Sequence, residues 1–188
     1  METFSICYHG TLRTHAESIM SRVNVKAGRL FTDFGQGFYL TTNYEQAKRW
    51  AVAKARYRSH ADGRADEAPV VVKIRLDTIS LHQLSGCTFE VPNDRWAEFV
   101  YNCRKHGKAN TLFHNYDFVC GPLADGKFLP LFNKYDANRI TFEEFHAGIK
   151  PINRDHNQLS LHTMEAISCI HQMEVERIET TVIGSNRS

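Results

Sequence analysis

The sequence predicts an α+β domain in which short strands and helices alternate without a regular repeat. Its 188 residues are 42% hydrophobic and 23% charged, which is typical of a soluble globular domain. Apolar and polar side chains alternate over residues 70–76 as in a strand, whereas Trp96, Phe99, Val100 and Cys103 recur at helical spacing. Because no regular βαβ repeat is present, α+β is favoured over a doubly wound sheet.

The remaining elements are assigned from the same patterns in chain order. Strands are predicted at residues 4–9, 37–42, 116–120, 159–162 and 175–182, with a further candidate strand at 128–132. Helices are predicted at 15–23, 43–59, from 92 onward, 141–149 and 163–171, separated by loops that include 24–37 and 60–68. Thr14 and Asn43 are predicted N-caps, and Thr141 with Glu144 matches a capping box. We expect a single domain over residues 1–183 and a frayed tail at 184–188.

Cysteine content and hydropathy exclude several classes of protein, whereas net charge excludes none. The formal net charge of +2 argues neither for nor against a polyanionic partner. The five cysteines form no CxxC pair and the ten histidines no HExxH motif, so neither a disulfide framework nor a metal site is predicted. Most of the cysteines are expected to be small buried apolar residues, which favours a reducing compartment. With no signal-peptide pattern and no apolar run near 20 residues, we expect no membrane partner and a cytoplasmic location, or export by a route the sequence does not show.

Basic residues concentrate in two predicted helices. Each group is either an ordinary solvated face or part of a binding surface for nucleic acid or phosphate. The first group is Arg49, Lys54, Arg56 and Arg58, and the second is Arg104, Lys105 and Lys108.

The segment 33–42, DFGQGFYLTT, is unusually rich in glycine and aromatic residues. Gly35 and Gly37 permit positive φ or a close approach to the backbone. The rings of Phe34, Phe38 and Tyr39 form either the wall of a flat slot or core packing beside a β-bulge.

Two further segments carry polar groups at strand ends. His9 and Gly10 follow Tyr8 at the end of the first strand and offer a side-chain donor beside an unobstructed backbone amide. They could hold a sugar hydroxyl and a carboxamide together, although a lone histidine is more often a satisfied polar group. Gln158 opens a late strand and Asp117 an earlier one. Each is also explained as a strand-edge or turn residue.

These motifs, in this order, resemble the ADP-ribosyltransferase superfamily, specifically its poly(ADP-ribose) polymerase-like, diphtheria-toxin-like branch. The resemblance covers about residues 4–180, and the chain is also similar to a bacterial ADP-ribosyltransferase-like group with HG[ST], DFGxGFYLT and NQxxxHT motifs. It rests on His9-Gly10-Thr11, the FGQGFYL segment, Trp50 eleven residues after Tyr39, and Asn157-Gln158.

The resemblance implies a split, mostly antiparallel sheet flanked by helices, with an NAD slot in the cleft between its halves. NAD is then the substrate, and no metal is implied. His9 would bond the ribose hydroxyls, and Tyr39 and Trp50 would sandwich the nicotinamide ring. Gly10 would pair with the carboxamide through its backbone. The remaining site residues implied are Thr11 at the pocket floor, with Phe34, Gly35, Gly37 and Phe38 around the slot.

The sequence departs from the family at its catalytic acid. Gln158 stands where the family usually has glutamate, and Ala47 stands where it has serine. A glutamine keeps a hydrogen bond but supplies neither the charge nor a base. Transfer would then need either a strong acceptor nucleophile or a base from another residue, with Asp33, Asp117 and Asp125 as candidates.

The expected function is mono-ADP-ribosyl transfer from NAD to a protein or nucleic acid, with His9, Tyr39 and Gln158 as the catalytic residues. Such a protein could be a toxin, defence protein or effector with an antitoxin or regulatory partner. The alternatives are an NAD glycohydrolase, a non-catalytic NAD or ADP-ribose reader, or an interaction domain that has lost the site. A nucleic-acid acceptor predicts that Arg49, Arg56, Arg58, Arg104 and Lys105 lie beside the slot.

Overall fold

The computed structural model describes residues 4–62, 67–124 and 128–178. In these ranges the chain forms a mixed α+β structure with seven strands, seven α-helices and a short 3-10 helix at Val25–Ala27. The strands are β1 (Ile6–Leu12), β2 (Phe38–Leu40), β3 (Pro69–Leu76), β4 (Gly86–Thr88), β5 (Phe118–Pro122), β6 (Asn157–Leu161) and β7 (Ile170–Arg177). The helices are α1 (Arg13–Ser21), α2 (Tyr44–Asp62), α3 (Thr78–His82), α4 (Asp94–Lys108), α5 (Phe128–Asp136), α6 (Phe142–Ile149) and α7 (Met164–Ser168).

The strands form two sheets that meet at one point. One sheet has the order β1-β3-β7 and the other the order β2-β6-β5-β4. All pairings are antiparallel except the parallel pair β4–β5. Backbone bonds from Tyr8 N to Thr41 O (2.7 Å) and from Thr41 N to Tyr8 O (3.0 Å) connect β1 to the end of β2.

The four-stranded sheet separates two apolar cores. Phe38, Leu159 and Leu161 face the three-stranded sheet and pack with Cys7, Val72 and other residues of β1 and β3. The opposite face packs on helices α4, α5 and α6 through a cluster that includes Trp96, Val119, Phe132 and Phe145. Alternation along each strand therefore decides which core a side chain enters.

Several elements confirm the sequence patterns. Asn43 Oδ1 accepts a bond from Gln46 N at the start of α2 (3.0 Å), and Thr141 with Glu144 forms the predicted capping box of α6. All five cysteines are free and buried. The last strand already begins at Ile170, and residues 179–188, which include the predicted tail, lie outside the described part of the chain.

Two predictions were wrong. Residues 128–132 begin helix α5 rather than a strand, because the apolar residues Phe128, Leu131, Phe132 and Tyr135 continue at helical spacing beyond that window. Thr14 does not cap α1, which begins directly after β1 with Leu12 in the N-cap position and no side-chain cap. Helix α3 and strand β4 were not predicted. No helix in the described ranges is long and apolar enough to cross a membrane.

Candidate functional site

His9 lies where the two sheets meet. Its Nδ1 is 2.7 Å from the backbone oxygen of Tyr39, and its ring packs on Phe38 with centroids 4.7 Å apart. The contact joins residues from two motifs that are distant in sequence. The connection between β1 and β2 therefore positions the histidine at the edge of the four-stranded sheet.

Burial and the contact with Tyr39 together determine the protonation state and the tautomer of His9. Burial, and secondarily the positive charge of Lys54, lowers the pKa of His9 to about 3, so the ring is neutral near pH 7. A carbonyl oxygen can only accept, so Nδ1 carries the proton and donates it to Tyr39 O. Nε2 is then an acceptor, which suits a ribose hydroxyl but differs from the donor that the sequence suggested.

Gly10 lies directly beneath α2. A Cβ atom at Gly10 would be 1.8 Å from the backbone oxygen of Ala47 and 3.0 Å from the amide nitrogen of Ala51. The Gly10 carbonyl accepts a bond from Lys54 Nζ at 2.8 Å. This close packing brings the part of α2 that carries Trp50 and Lys54 against the end of β1.

Gly10→Ala is expected to lower the free energy of unfolding by about 3 kcal/mol, because α2 must move away from β1. Gly35→Ala is the matched control. Gly35 has φ 80°, but a Cβ there would meet only His114 Nε2 at 3.8 Å, so we expect about 1–2 kcal/mol. Urea denaturation measures both, and a smaller loss for Gly10→Ala than for the control would contradict this packing.

The hydroxyl of Tyr39 holds the loop that precedes β2. It donates to the Gly35 carbonyl (2.7 Å), accepts from the Phe34 amide (3.0 Å) and lies 3.0 Å from the Thr32 hydroxyl. Phe34 itself is fully buried among the helices. These contacts explain the DFGQGFYL segment structurally, and the Tyr39 ring packs against the helix-side core that contains Phe34.

Trp50 is 37% exposed on α2. In the described residues Tyr39 packs against the helix-side core, whereas Trp50 lies on the helix that packs on β1, and the two rings do not stack on each other. Thr11, the third residue of the first motif, is buried at the end of β1. Phe38 and Ala47 are also buried.

Gln158 belongs to a buried polar cluster. It is 2% exposed, and its Nε2 donates to Asp33 Oδ2 at 2.8 Å. Asp33 also accepts from the amide of Ala124 (3.0 Å) and forms an ion pair with Arg104. Arg104 in turn donates to the Phe31 carbonyl at 2.8 Å and lies over the rings of Phe31 and Phe128.

The structure does not bring Gln158 into contact with His9. Phe38, which contacts His9, faces the core between the sheets, whereas strand alternation turns Gln158 towards the helices. Asp33 is held by Arg104, and Asp117 accepts bonds from Ser85 N (2.9 Å) and Thr163 Oγ1 (2.8 Å). Asp125 lies outside the described residues.

The other residues of the NQxxxHT motif also have structural contacts. The Asn157 side chain accepts from Thr42 N (3.0 Å) and joins β6 to the start of α2. His162 Nδ1 lies 2.8 Å from the Gln36 carbonyl, and its Nε2 lies 2.8 Å from Ser160 Oγ. Burial lowers the pKa of His162 to about 4. Asn157 and His162 thus join β6 to the loops on both sides of β2.

Lys54 is a site residue that the sequence placed on α2 but did not assign to the slot. Burial of its ammonium group, and next the charge of Arg29, lower the pKa of Lys54 to about 8. Lys54 and His15 both oppose protonation of His9. A cationic region therefore borders His9. The sequence could have indicated it, because Lys54 lies four residues after Trp50 and so on the same side of the helix.

Comparison with protein families matches residues 6–172 to the family described as Protein of unknown function (DUF3990). No match was found among curated proteins or among solved structures. The matched range includes His9, Tyr39, Trp50 and Gln158. Because the match spans most of the sequence, the chain belongs to the DUF3990 family.

Proposed function

We propose that the protein is an NAD-dependent mono-ADP-ribosyltransferase with an ADP-ribosyltransferase fold. The observation that carries the proposal is the position of His9 at the junction of the two sheets, next to Gly10, which lies beneath the helix that bears Trp50 and Lys54. His9 on β1 supplies a neutral acceptor, and the adjoining helix α2 supplies an aromatic side chain, Trp50, and a cation, Lys54. These groups match the ribose, the nicotinamide ring and the pyrophosphate of NAD.

In the proposed reaction the bond between C1′ of the ribose and the nicotinamide nitrogen breaks. The electron pair leaves with nicotinamide, which becomes neutral, and an acceptor nucleophile forms the new bond to C1′ while losing its proton. His9 Nε2 orients the ribose by accepting from a hydroxyl. Lys54 and Arg29 attract the pyrophosphate.

The surroundings of Gln158 support a second candidate function. In the family resemblance this position stabilises the positive charge that develops at the ribose, but here it is a neutral amide bonded to a buried carboxylate. Binding of NAD or ADP-ribose without chemistry follows if no other group supplies that charge. If the site is active and water is the acceptor, the product is free ADP-ribose, as in an NAD glycohydrolase.

Affinity for ADP-ribose is expected to fall about tenfold between pH 7 and pH 9. Lys54 is protonated below its pKa of about 8 and attracts the pyrophosphate, and it loses this charge as the pH rises. Isothermal titration calorimetry should show the pH dependence in the wild type and not in Lys54→Met. An unchanged dependence in Lys54→Met would assign it to another group.

The test of the function is incubation of the protein with NAD labelled in the ADP-ribose part and a whole-cell lysate. Label on macromolecules together with released nicotinamide supports the transferase. Free ADP-ribose with no labelled acceptor indicates the glycohydrolase, and binding without nicotinamide release indicates the reader. Absence of NAD binding by calorimetry would reject all three in favour of an interaction domain.

The biological setting is part of the proposal. A cytoplasmic toxin, defence protein or effector would need an antitoxin or regulatory protein that controls the NAD site. Co-expression with neighbouring genes and recovery of a complex that blocks nicotinamide release would identify such a partner.

A further inference from the structure

The outer face of α2 presents exposed aromatic and basic side chains in two rows. Tyr57 is 71% exposed, and Trp50, seven residues earlier, is 37% exposed. Arg49 and Arg56 are also exposed and again lie seven residues apart. Side chains at this spacing lie on the same side of a helix, two turns from one another. The Trp50–Tyr57 row and the Arg49–Arg56 row therefore run side by side along α2.

The basic row borders a shallow groove of about 380 Å³. Val52 and Ala53 supply small apolar side chains between the charged ones. Lys48 lies 3.9 Å from Glu45, and Arg49 donates to His156 at 3.0 Å. The complete lining is Glu45, Lys48, Arg49, Val52, Ala53 and Arg56.

Positive charge is concentrated on this helix. Five basic and two acidic residues lie on α2, whereas the whole chain has a formal net charge of only +2. In the second basic group, two carboxylates offset part of the charge of three basic side chains. Arg104 pairs with Asp33, while Lys105 and Lys108 approach Asp136. Of the two surfaces that the sequence singled out, α2 is the one suited to an anionic partner.

We propose that this face of α2 binds single-stranded nucleic acid, and that this nucleic acid is the acceptor of ADP-ribose. The second clause rests on the proposed function. Exposed aromatic rings stack on unpaired bases while neighbouring cations follow the phosphates, and a duplex or an acidic protein offers no base faces to Tyr57. Lys54 lies between Trp50 and Tyr57 in the sequence and contacts Gly10, so the face adjoins the His9 region.

Binding is tested without NAD, by fluorescence anisotropy of a labelled mixed-sequence single strand titrated with the full chain. Tyr57→Ala is expected to weaken binding at least about fivefold. Arg49→Ala/Arg56→Ala should weaken it about tenfold at low salt and reduce the slope against log salt by about 1.4. The matched control, Lys134→Ala/Arg139→Ala, removes two exposed charges elsewhere and should leave affinity within about twofold. Thermal melting verifies that each variant is folded.

Other results would overturn the inference. Equal binding of duplex or of poly-glutamate, no effect of Tyr57→Ala, or equal losses in the control variant would each show that α2 does not recognise single strands. Equal binding to vesicles of anionic lipid would do the same.

A second arm adds NAD labelled in the ADP-ribose part to the bound oligonucleotide. Nuclease-sensitive label that is lost in Tyr57→Ala supports an acceptor role. If the oligonucleotide binds but nicotinamide is never released, the transferase proposal fails while the binding surface stands. If label appears only on proteins and no oligonucleotide binds, this inference fails while the transferase proposal stands.

Discussion

Asp33→Ala is expected to lower the free energy of unfolding by about 3–5 kcal/mol, the largest stability change among the variants considered. The carboxylate is 3% exposed and compensates the charge of Arg104, whose side chain is only 18% exposed. Its removal leaves a buried guanidinium without its anion and takes away the acceptor of Gln158 Nε2 and Ala124 N. Urea denaturation with tryptophan fluorescence measures the change.

Asp136→Ala is the control for this experiment. Asp136 also pairs with basic residues of α4, but Lys105 and Lys108 are more than half exposed and water replaces their partner. A change of about 1 kcal/mol or less is expected. Asp33→Ala could instead lower the free energy of unfolding no more than Asp136→Ala does and yet abolish nicotinamide release. That result would make Asp33 a catalytic base rather than the centre of a structural cluster.

His9→Ala is expected to lower kcat/KM for nicotinamide release about 100-fold, the largest effect on activity. The substitution removes the acceptor that is proposed to hold the ribose, and it removes the bond to Tyr39 O. A second variant separates these two losses. In His9→Asn the side-chain amide reaches the Tyr39 carbonyl but leaves no acceptor at the position of Nε2. We expect a similar loss of activity with less destabilisation than in His9→Ala.

His171→Ala serves as the matched control, since His171 is exposed on β7. Its kcat/KM should remain within about twofold of the wild type. Initial rates of nicotinamide release measured by mass spectrometry report all three variants. Activity within threefold of the wild type in His9→Asn would show that His9 Nε2 does not hold the substrate, and the role of His9 would then be to join the sheets.

Local patterns predicted much of the fold. Helices α2, α4 and α6 were recognisable because their caps and apolar periodicity lie within a few residues of one another. Helix α5 was not predicted because the four apolar residues within Phe128–Phe132 fit a strand as well as the first turn of a helix.

The polar contacts of the site were less predictable because they are non-local. Asp33 was considered as a base, but its partner Arg104 comes from α4, and nothing in either segment encodes their pairing. The tautomer of His9 depends on a carbonyl of β2. By contrast, Gly35 was identified from sequence because its positive φ favours glycine. Gly10 was singled out for its backbone amide, and its close contact with α2 was not predicted.

The strand order also has a consequence for synthesis of the protein on the ribosome. Phe38 in β2 pairs with Leu161 in β6, and Val72 in β3 pairs with Val175 in β7. Such pairings are slow to form because a long chain must close first. Neither sheet can be completed while the last strands are still inside the exit tunnel. The two sheets that meet beside His9 are therefore complete only after β6 and β7 have emerged from the tunnel.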